Sequence, residues 1–303
     1  MKITFGIINC NRLFYLRSCL ESLIDTTEDY PDKDIIIIDN ASKEKGTQEY
    51  LEEKESAGIK VIRREERDPK NEFFKAVNLI CENSMDSDFI APLQGDSQFI
   101  ARNWLDDYLS FFSDHIEEIG ALSMDAQRKS RNARESFEHP SSWFVYSKKR
   151  ASINGGADVI YSRKIIDLIY PWSTNNQRHE SNRRQRKGDG ENDMLRKSRK
   201  VIRKNGLNLN FAMPIIPAMS AICTDLKSGG NARVKGDDLI GDYWPPKSLN
   251  YKYYKINEYE NLKNKFQDQK HPVGKEDIVT PIGFNAPLDR KGNWIKKPIK
   301  FQR

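Results

Sequence analysis

At 303 residues the chain has room for one large domain or two smaller ones. Hydrophobic residues are 37% and charged residues 31% of it. No apolar run approaches the roughly 18 residues that cross a bilayer, so no transmembrane segment is expected. The formal net charge of +6 fits an anionic ligand, a nucleic acid or an acidic membrane surface, and selects none of them. Cys10, Cys19, Cys81 and Cys223 form no C-x-x-C pair, which argues against a zinc site and a disulfide framework. A reducing, cytoplasmic setting is the corresponding expectation. The apolar start, Met1 to Ile8, is too short for a signal peptide and reads as a first strand.

In chain order, Lys2 to Ile8 is a buried strand, broken by Asn9-Cys10-Asn11-Arg12. Leu13, Leu16, Leu20 and Leu23 then recur at helical spacing. Asp34 to Ile38 is a strand too short and too β-branched for a helix, and it stops at Asp39-Asn40-Ala41-Ser42. A helix from Gln48 to Lys54, a strand from Ile59 to Ile62 and a helix from Phe73 to Cys81 follow. Phe89 to Leu93 is the next strand, running out into Gln94-Gly95-Asp96-Ser97-Gln98. This alternation implies parallel strands covered by helices. Trp104 to Phe112 reads as a helix, Gly120 to Met124 and Trp143 to Tyr146 as strands. Asn154 to Asp158 reads as a tight turn before a helix, Arg163 to Ile169. Ser173 to Gly190, rich in Arg and Asn, reads as a mobile loop, followed by a helix from Met194 to Lys204 with Asn205-Gly206 as its C-cap. Asn208 to Ile216 is the last expected strand.

Three strand ends therefore carry polar clusters, and in a parallel sheet such ends share one edge. Asp39 can accept from a uracil or ribose edge, Asp96 can hold a metal ion, and Arg12 and Lys75 are candidate phosphate or base contacts. Neither G-x-G-x-x-G nor a Gly-Lys-Ser/Thr cradle is present, so a bound nucleotide would need a metal to neutralise its phosphates. At each cluster the alternative is a plain turn or cap.

The run from Ile3 to Arg12, the spacing Leu13, Leu16, Cys19, Leu20, Ser22 and Leu23, and the segment Ile35 to Ser42 together resemble the start of a family 2-type glycosyltransferase of the GT-A fold. Asn71 with Lys75 to Asn78 resembles the segment before that family's metal-binding strand end, and Phe89 to Asp96 sits where its Asp-x-Asp motif belongs. The resemblance implies an α/β fold with a mixed central sheet and helices on both faces. It implies a nucleotide-sugar-binding half (1–125), an acceptor-binding half (126–246) and a C-terminal extension (247–303). It also implies a nucleotide-sugar donor, taken as UDP-linked, Mn²⁺ or Mg²⁺, and an inverting transfer to a saccharide or other hydroxyl acceptor. Asp39, with Asn40 beside it, would bind the base, framed by Ile8, Asn9 and Arg12. Gln94, Gly95 and Asp96 would meet the diphosphate, with Asp96 on the metal. Gly156 would line the sugar or acceptor pocket, and Arg233 would reach the diphosphate.

The family's catalytic base lies at the start of a later helix, where this chain reads Gly190-Glu191-Asn192-Asp193. Asp193 is the first choice and Glu191 the second; the alternative is that both are helix N-terminal acids favoured by the dipole. Two positions depart from the pattern. Gln94 replaces the first aspartate of Asp-x-Asp, and Asn192 takes the usual aspartate place when the motif is aligned on Glu191. Two other functions stay open: a glycosyltransferase acting on hydroxylated bases of phage DNA, and a non-catalytic nucleotide-sugar-binding module.

Overall fold

The computed structural model describes residues 1–11, 13–68, 71–95, 97–99, 101–124, 144–146, 157–172, 190–207, 209–214 and 217–221. Its first part alternates strand and helix: β1 (Ile3–Asn9), α1 (Leu13–Thr26), β2 (Lys33–Asp39), α2 (Thr47–Ser56), β3 (Lys60–Arg63), α3 (Glu72–Glu82) and β4 (Phe89–Gln94). There follow β5 (Ser97–Phe99), α4 (Trp104–Asp114), β6 (Ile119–Ser123), β7 (Phe144–Tyr146), β8 (Val159–Ser162), α5 (Arg163–Ile169), α6 (Gly190–Lys204), β9 (Asn210–Pro214) and β10 (Met219–Ala221).

Eight strands form one sheet in the order β3-β2-β1-β4-β8-β6-β9-β7, and β5 pairs with β10 in a small second sheet. The first four strands are parallel, with Ile8 opposite Gln94 and Asn9 opposite Asp39. β8 runs antiparallel to both β4 and β6, so the sheet is mixed. The α/β class, the mixed sheet and the two helical faces are as expected.

The pleat explains the two faces, because successive side chains on a strand point to opposite sides. Along β2, Ile37 joins a core with Leu16, Leu20 and Leu23 of α1 and Trp104 and Tyr108 of α4. Ile36 and Ile38 join a second core with Val77 and Ile80 of α3, Ile165 and Ile166 of α5 and Ile202 of α6. The first core carries an aromatic chain, in which Phe99 stacks on Trp104 at 5.4 Å and Phe111 stacks on Phe144 at 4.0 Å. Gly6 is where α3 comes closest: a Cβ there would lie 2.3 Å from the buried side chain of Ile80.

Several expectations are corrected. Residues 159–162, between the expected turn and the expected helix, form β8, a fully buried strand at the centre of the sheet. The run Val159-Ile160-Tyr161 is too short to show a period, and the helix that follows without a loop hides it. Ser97 to Phe99, read as part of a polar cluster, is β5, and β10 was not foreseen. Gly190, assigned to the loop, opens α6, which starts one turn earlier than Met194. The C-cap is as expected: Gly206 has φ +62°, and the N–H of Leu207 reaches back to the Ile202 carbonyl at 3.0 Å. Residues 173–189, Trp143 and everything from 222 onward lie outside the described residues.

Candidate functional site: the carboxyl edge of the sheet

Register brings the strand ends together. Ile8 and Gln94 pair across β1 and β4, Asn9 and Asp39 across β1 and β2, and the Asn40 N–H donates to the Asn9 carbonyl at 2.9 Å. Gly95 fits against this edge closely, since a Cβ there would lie 3.3 Å from the Ile8 carbonyl oxygen. Ile8, Asn9, Asp39, Asn40, Gln94 and Gly95 are thus neighbours, as their sequence positions imply.

Asp39 is 1% exposed, and its carboxylate is saturated. Asn9 Nδ2 and the Ser42 hydroxyl donate to Oδ1 at 2.8 and 2.5 Å. The Ser42 N–H and Gln48 Nε2 donate to Oδ2 at 3.0 and 3.3 Å. The hydroxyl of Ser42 in turn accepts the Asn11 N–H at 2.6 Å, and Asn11 Oδ1 accepts the N–H groups of Lys43 and Glu44 at 2.7 and 3.1 Å. One carboxylate therefore locks the loops after β1 and β2 to each other. The side chain beside it is oriented too: Arg64, just beyond β3, donates from Nη1 to Asn40 Oδ1 at 3.2 Å.

Lys75 lies on the first turn of α3 and pairs with Asp68 at 2.7 Å. Asn71 adds bonds to both oxygens of the same carboxylate at 3.0 and 2.8 Å. Lys75 first, then Asn71, hold the Asp68 carboxyl below its ordinary range. Lys75 remains exposed.

At the end of β4 the organising group comes from elsewhere in the chain. Asp158 immediately precedes β8, is 7% exposed and has φ +62°. Its Oδ1 accepts the Gln94 N–H at 3.0 Å and the Ser97 hydroxyl at 3.4 Å. Among the described residues, Asn11, Ala41, Asn103 and Asp158 are the non-glycine residues at positive φ, and all but Asn103 sit on this edge. Such backbone is strained for most side chains, and its clustering here marks the edge as more than a set of plain turns.

Glu191 and Asp193 both fall in the first turn of α6. Arg12, Asp96, Gly156 and Arg233 lie outside the described residues. Trp172 is 2% exposed and fixed by α3: Asn78 exchanges two bonds with its backbone, at 2.8 and 3.0 Å. Sequence reading missed Gln48 and Arg64 as members of the edge, and saw Asp158 only as the end of a glycine turn. An aspartate after Gly-Gly-Ala was the available signal, because Asn and Asp tolerate left-handed backbone.

The description "Glycosyl transferase family 2" matches residues 4–153. Those residues belong to glycosyl transferase family 2. The family 2 segment runs from β1 through β7 and holds the ends of β1, β2 and β4. No curated protein matches the chain. Among solved structures, the chain is similar to S. aureus TarS at 15% identity and a TM-score of 0.47, over 70% of this chain and 35% of that one. It is similar to the mannosyltransferase PcManGT from Pyrobaculum calidifontis, solved with GDP-Man and Mn²⁺, at 14% identity and a TM-score of 0.48, over 69% and 56%. It is also similar to GalNAc-T7, solved with UDP, GalNAc and Mn²⁺, at 15% identity and a TM-score of 0.46, over 71% and 44%. The chain thus spans from about a third to just over half of the length of these proteins.

Among the described residues no three His, Cys, Asp or Glu side chains cluster as a metal site, and no helix is long and apolar enough to cross a membrane.

Proposed function

We propose that the chain is an inverting glycosyltransferase that moves a sugar from a nucleoside-diphosphate donor, UDP-linked in the first instance, to a hydroxyl acceptor. The observation that carries this is the meeting of three strand ends on one edge of a family 2 domain. In this reading the base lies against Asn9 and Asn40, with Arg12 nearby, and the Asp39 network keeps that floor rigid. Gln94, Gly95 and Asp96 face the diphosphate, Lys75 and Arg233 supply positive charge, and Gly156 borders the sugar.

A divalent cation, Mn²⁺ or Mg²⁺, fits the donor set in one particular way. Gln94 brings no charge, so Asp96 would be the chain's own ligand and the donor's phosphates would complete the shell, a mode that hard cations accept. When bound, the cation offsets the charge that develops on the departing diphosphate. The chain's own groups do the rest. Asp193, one position past the family's aspartate place when the motif is aligned on Glu191, or Glu191 itself, takes the proton of the acceptor hydroxyl. That oxygen bonds to the anomeric carbon as the bond to the diphosphate oxygen breaks, which inverts the centre.

The test is a thermal-shift panel of nucleotide-sugars with and without Mn²⁺, followed by donor consumption in single variants. Asp193→Asn is expected to lose about 100-fold in rate, the usual scale for a positioned base, while Glu191→Gln loses less. Equal activity in both variants sinks the assignment of Asp193.

A second reading changes only the acceptor. Arg199, Lys200, Arg203 and Lys204 of α6 form no ion pair among the described residues, which leaves a cationic helix face able to meet the phosphates of DNA. Salt-sensitive retention on DNA, absent for neutral glycans, would favour that acceptor.

A further inference from the structure

We propose that Asp158 is a positioning residue for the diphosphate turn at the end of β4, a role that rests on the reading of that turn as donor site. Two backbone bonds fix Asp158 itself. Its N–H donates to the Pro92 carbonyl at 2.7 Å, and its own carbonyl accepts the Met124 N–H at 3.3 Å. With Oδ1 on Gln94 N–H and Ser97 Oγ, the residue joins β4, β5 and the end of β6.

The need for such a group follows from the ladder. β4 and β8 pair at Phe89 with Ser162 and at Ile90 with Tyr161, so the Gln94 N–H lies beyond the last pair. A buried backbone donor without a partner costs free energy, and a side-chain oxygen has to take the place of the missing strand. The carboxylate does this from a backbone conformation, φ +62°, that few residue types adopt. It grips the residues on both sides of Gly95-Asp96.

The grip also reaches the second half of the molecule. The Met124 carbonyl accepts the N–H groups of Ala218 and Met219 at 3.0 and 3.2 Å, and β10 pairs with β5, placing Ala221 opposite Ser97. Asp158 therefore closes a circuit from β4 through β5 and β10 back to β6. Its Oδ1 is engaged by the turn's own donors, which sets where the turn stands.

The experiment uses the full chain with Asp158→Gly and Asp158→Asn. Glycine removes the carboxylate yet suits positive φ. Asparagine keeps an acceptor oxygen and tolerates the same backbone. Hydrogen exchange is followed in the peptide spanning Gln94 to Ser97, and binding of UDP, and separately GDP, is titrated with Mn²⁺ present. Asp158→Gly is expected to speed exchange in that peptide while β1 and β2 stay protected, and to weaken nucleotide binding about tenfold, the scale of one lost hydrogen bond to a charged group. Asp158→Asn is expected to restore both. If the unaltered chain binds neither nucleotide, the donor reading fails, and exchange alone still decides the role of Asp158. Unchanged exchange in Asp158→Gly overturns the proposal. So does faster exchange with undiminished affinity, and so does a global loss of protection in both variants.

Discussion

The end of β2 and the end of β4 both turn polar at an aspartate-bearing loop, yet they are held in opposite ways. At β2 the carboxylate is the hub: Asp39 collects Asn9, Ser42 and Gln48, all within 30 residues of it in sequence. At β4 the hub is borrowed, since Asp158 reaches Gln94 from 64 residues away. The first arrangement is a closed network that turns its charge inward. The second holds a short turn in place from a distant part of the chain. Under the proposed function the first end is the floor of the site and the second its working surface.

That contrast can be broken by substitution, and the largest effect belongs to β2. Asp39→Ala leaves buried donors on Asn9 and Ser42 without an acceptor and is expected to cost about 3 kcal/mol of stability, read from urea unfolding. A loss too small to measure would mean that the loops after β1 and β2 stand without it. Gly95→Ala comes next. Its Cβ would press on the Ile8 carbonyl at 3.3 Å, so the β4 end must shift, with nucleotide affinity falling several-fold while the melting temperature moves little.

Ala41→Gly probes the strain at the β2 end. Ala41 has φ +53°, and relief of that conformation, less the added freedom of glycine when unfolded, is expected to stabilise by about 0.5 kcal/mol. A destabilised variant would show that the alanine methyl packs usefully.

The smallest effect is pH-dependent. Lys75 and Asn71 hold the Asp68 carboxyl below its unfolded value. The sign follows: the contribution is present above the unfolded carboxylate range and is lost as pH falls through the folded value. Melting curves of the unaltered chain and Lys75→Met should differ at pH 6 and converge below about pH 4. A gap that persists in acid would show that Lys75 stabilises by packing rather than by charge.

The same contrast explains what could be read from the sequence. Each element up to α4 announces itself, by a β-branched run such as Ile35 to Ile38 or by leucines at helical spacing in α1. The exception is β5, a three-residue strand defined only by its distant partner, β10. Asp39 and its neighbours follow because their partners are close in sequence. β8 and Asp158 did not follow, because a four-residue strand shows no period and its place between β4 and β6 is set by long-range pairing. The saturation of Asp39 was equally hidden: the sequence shows a carboxylate at a strand end, and only geometry shows which donors reach it. Arg64 was missed for a related reason, since its partner, the Asn40 amide, lies on a neighbouring strand's loop.

The most direct test of the central claim is titration of UDP, and separately GDP, into the unaltered chain and into Asp96→Ala, with Mn²⁺ present. The account predicts binding to the unaltered chain and a loss of at least about tenfold in the variant, the scale of a removed charged contact. Equal affinity in the two proteins would contradict it.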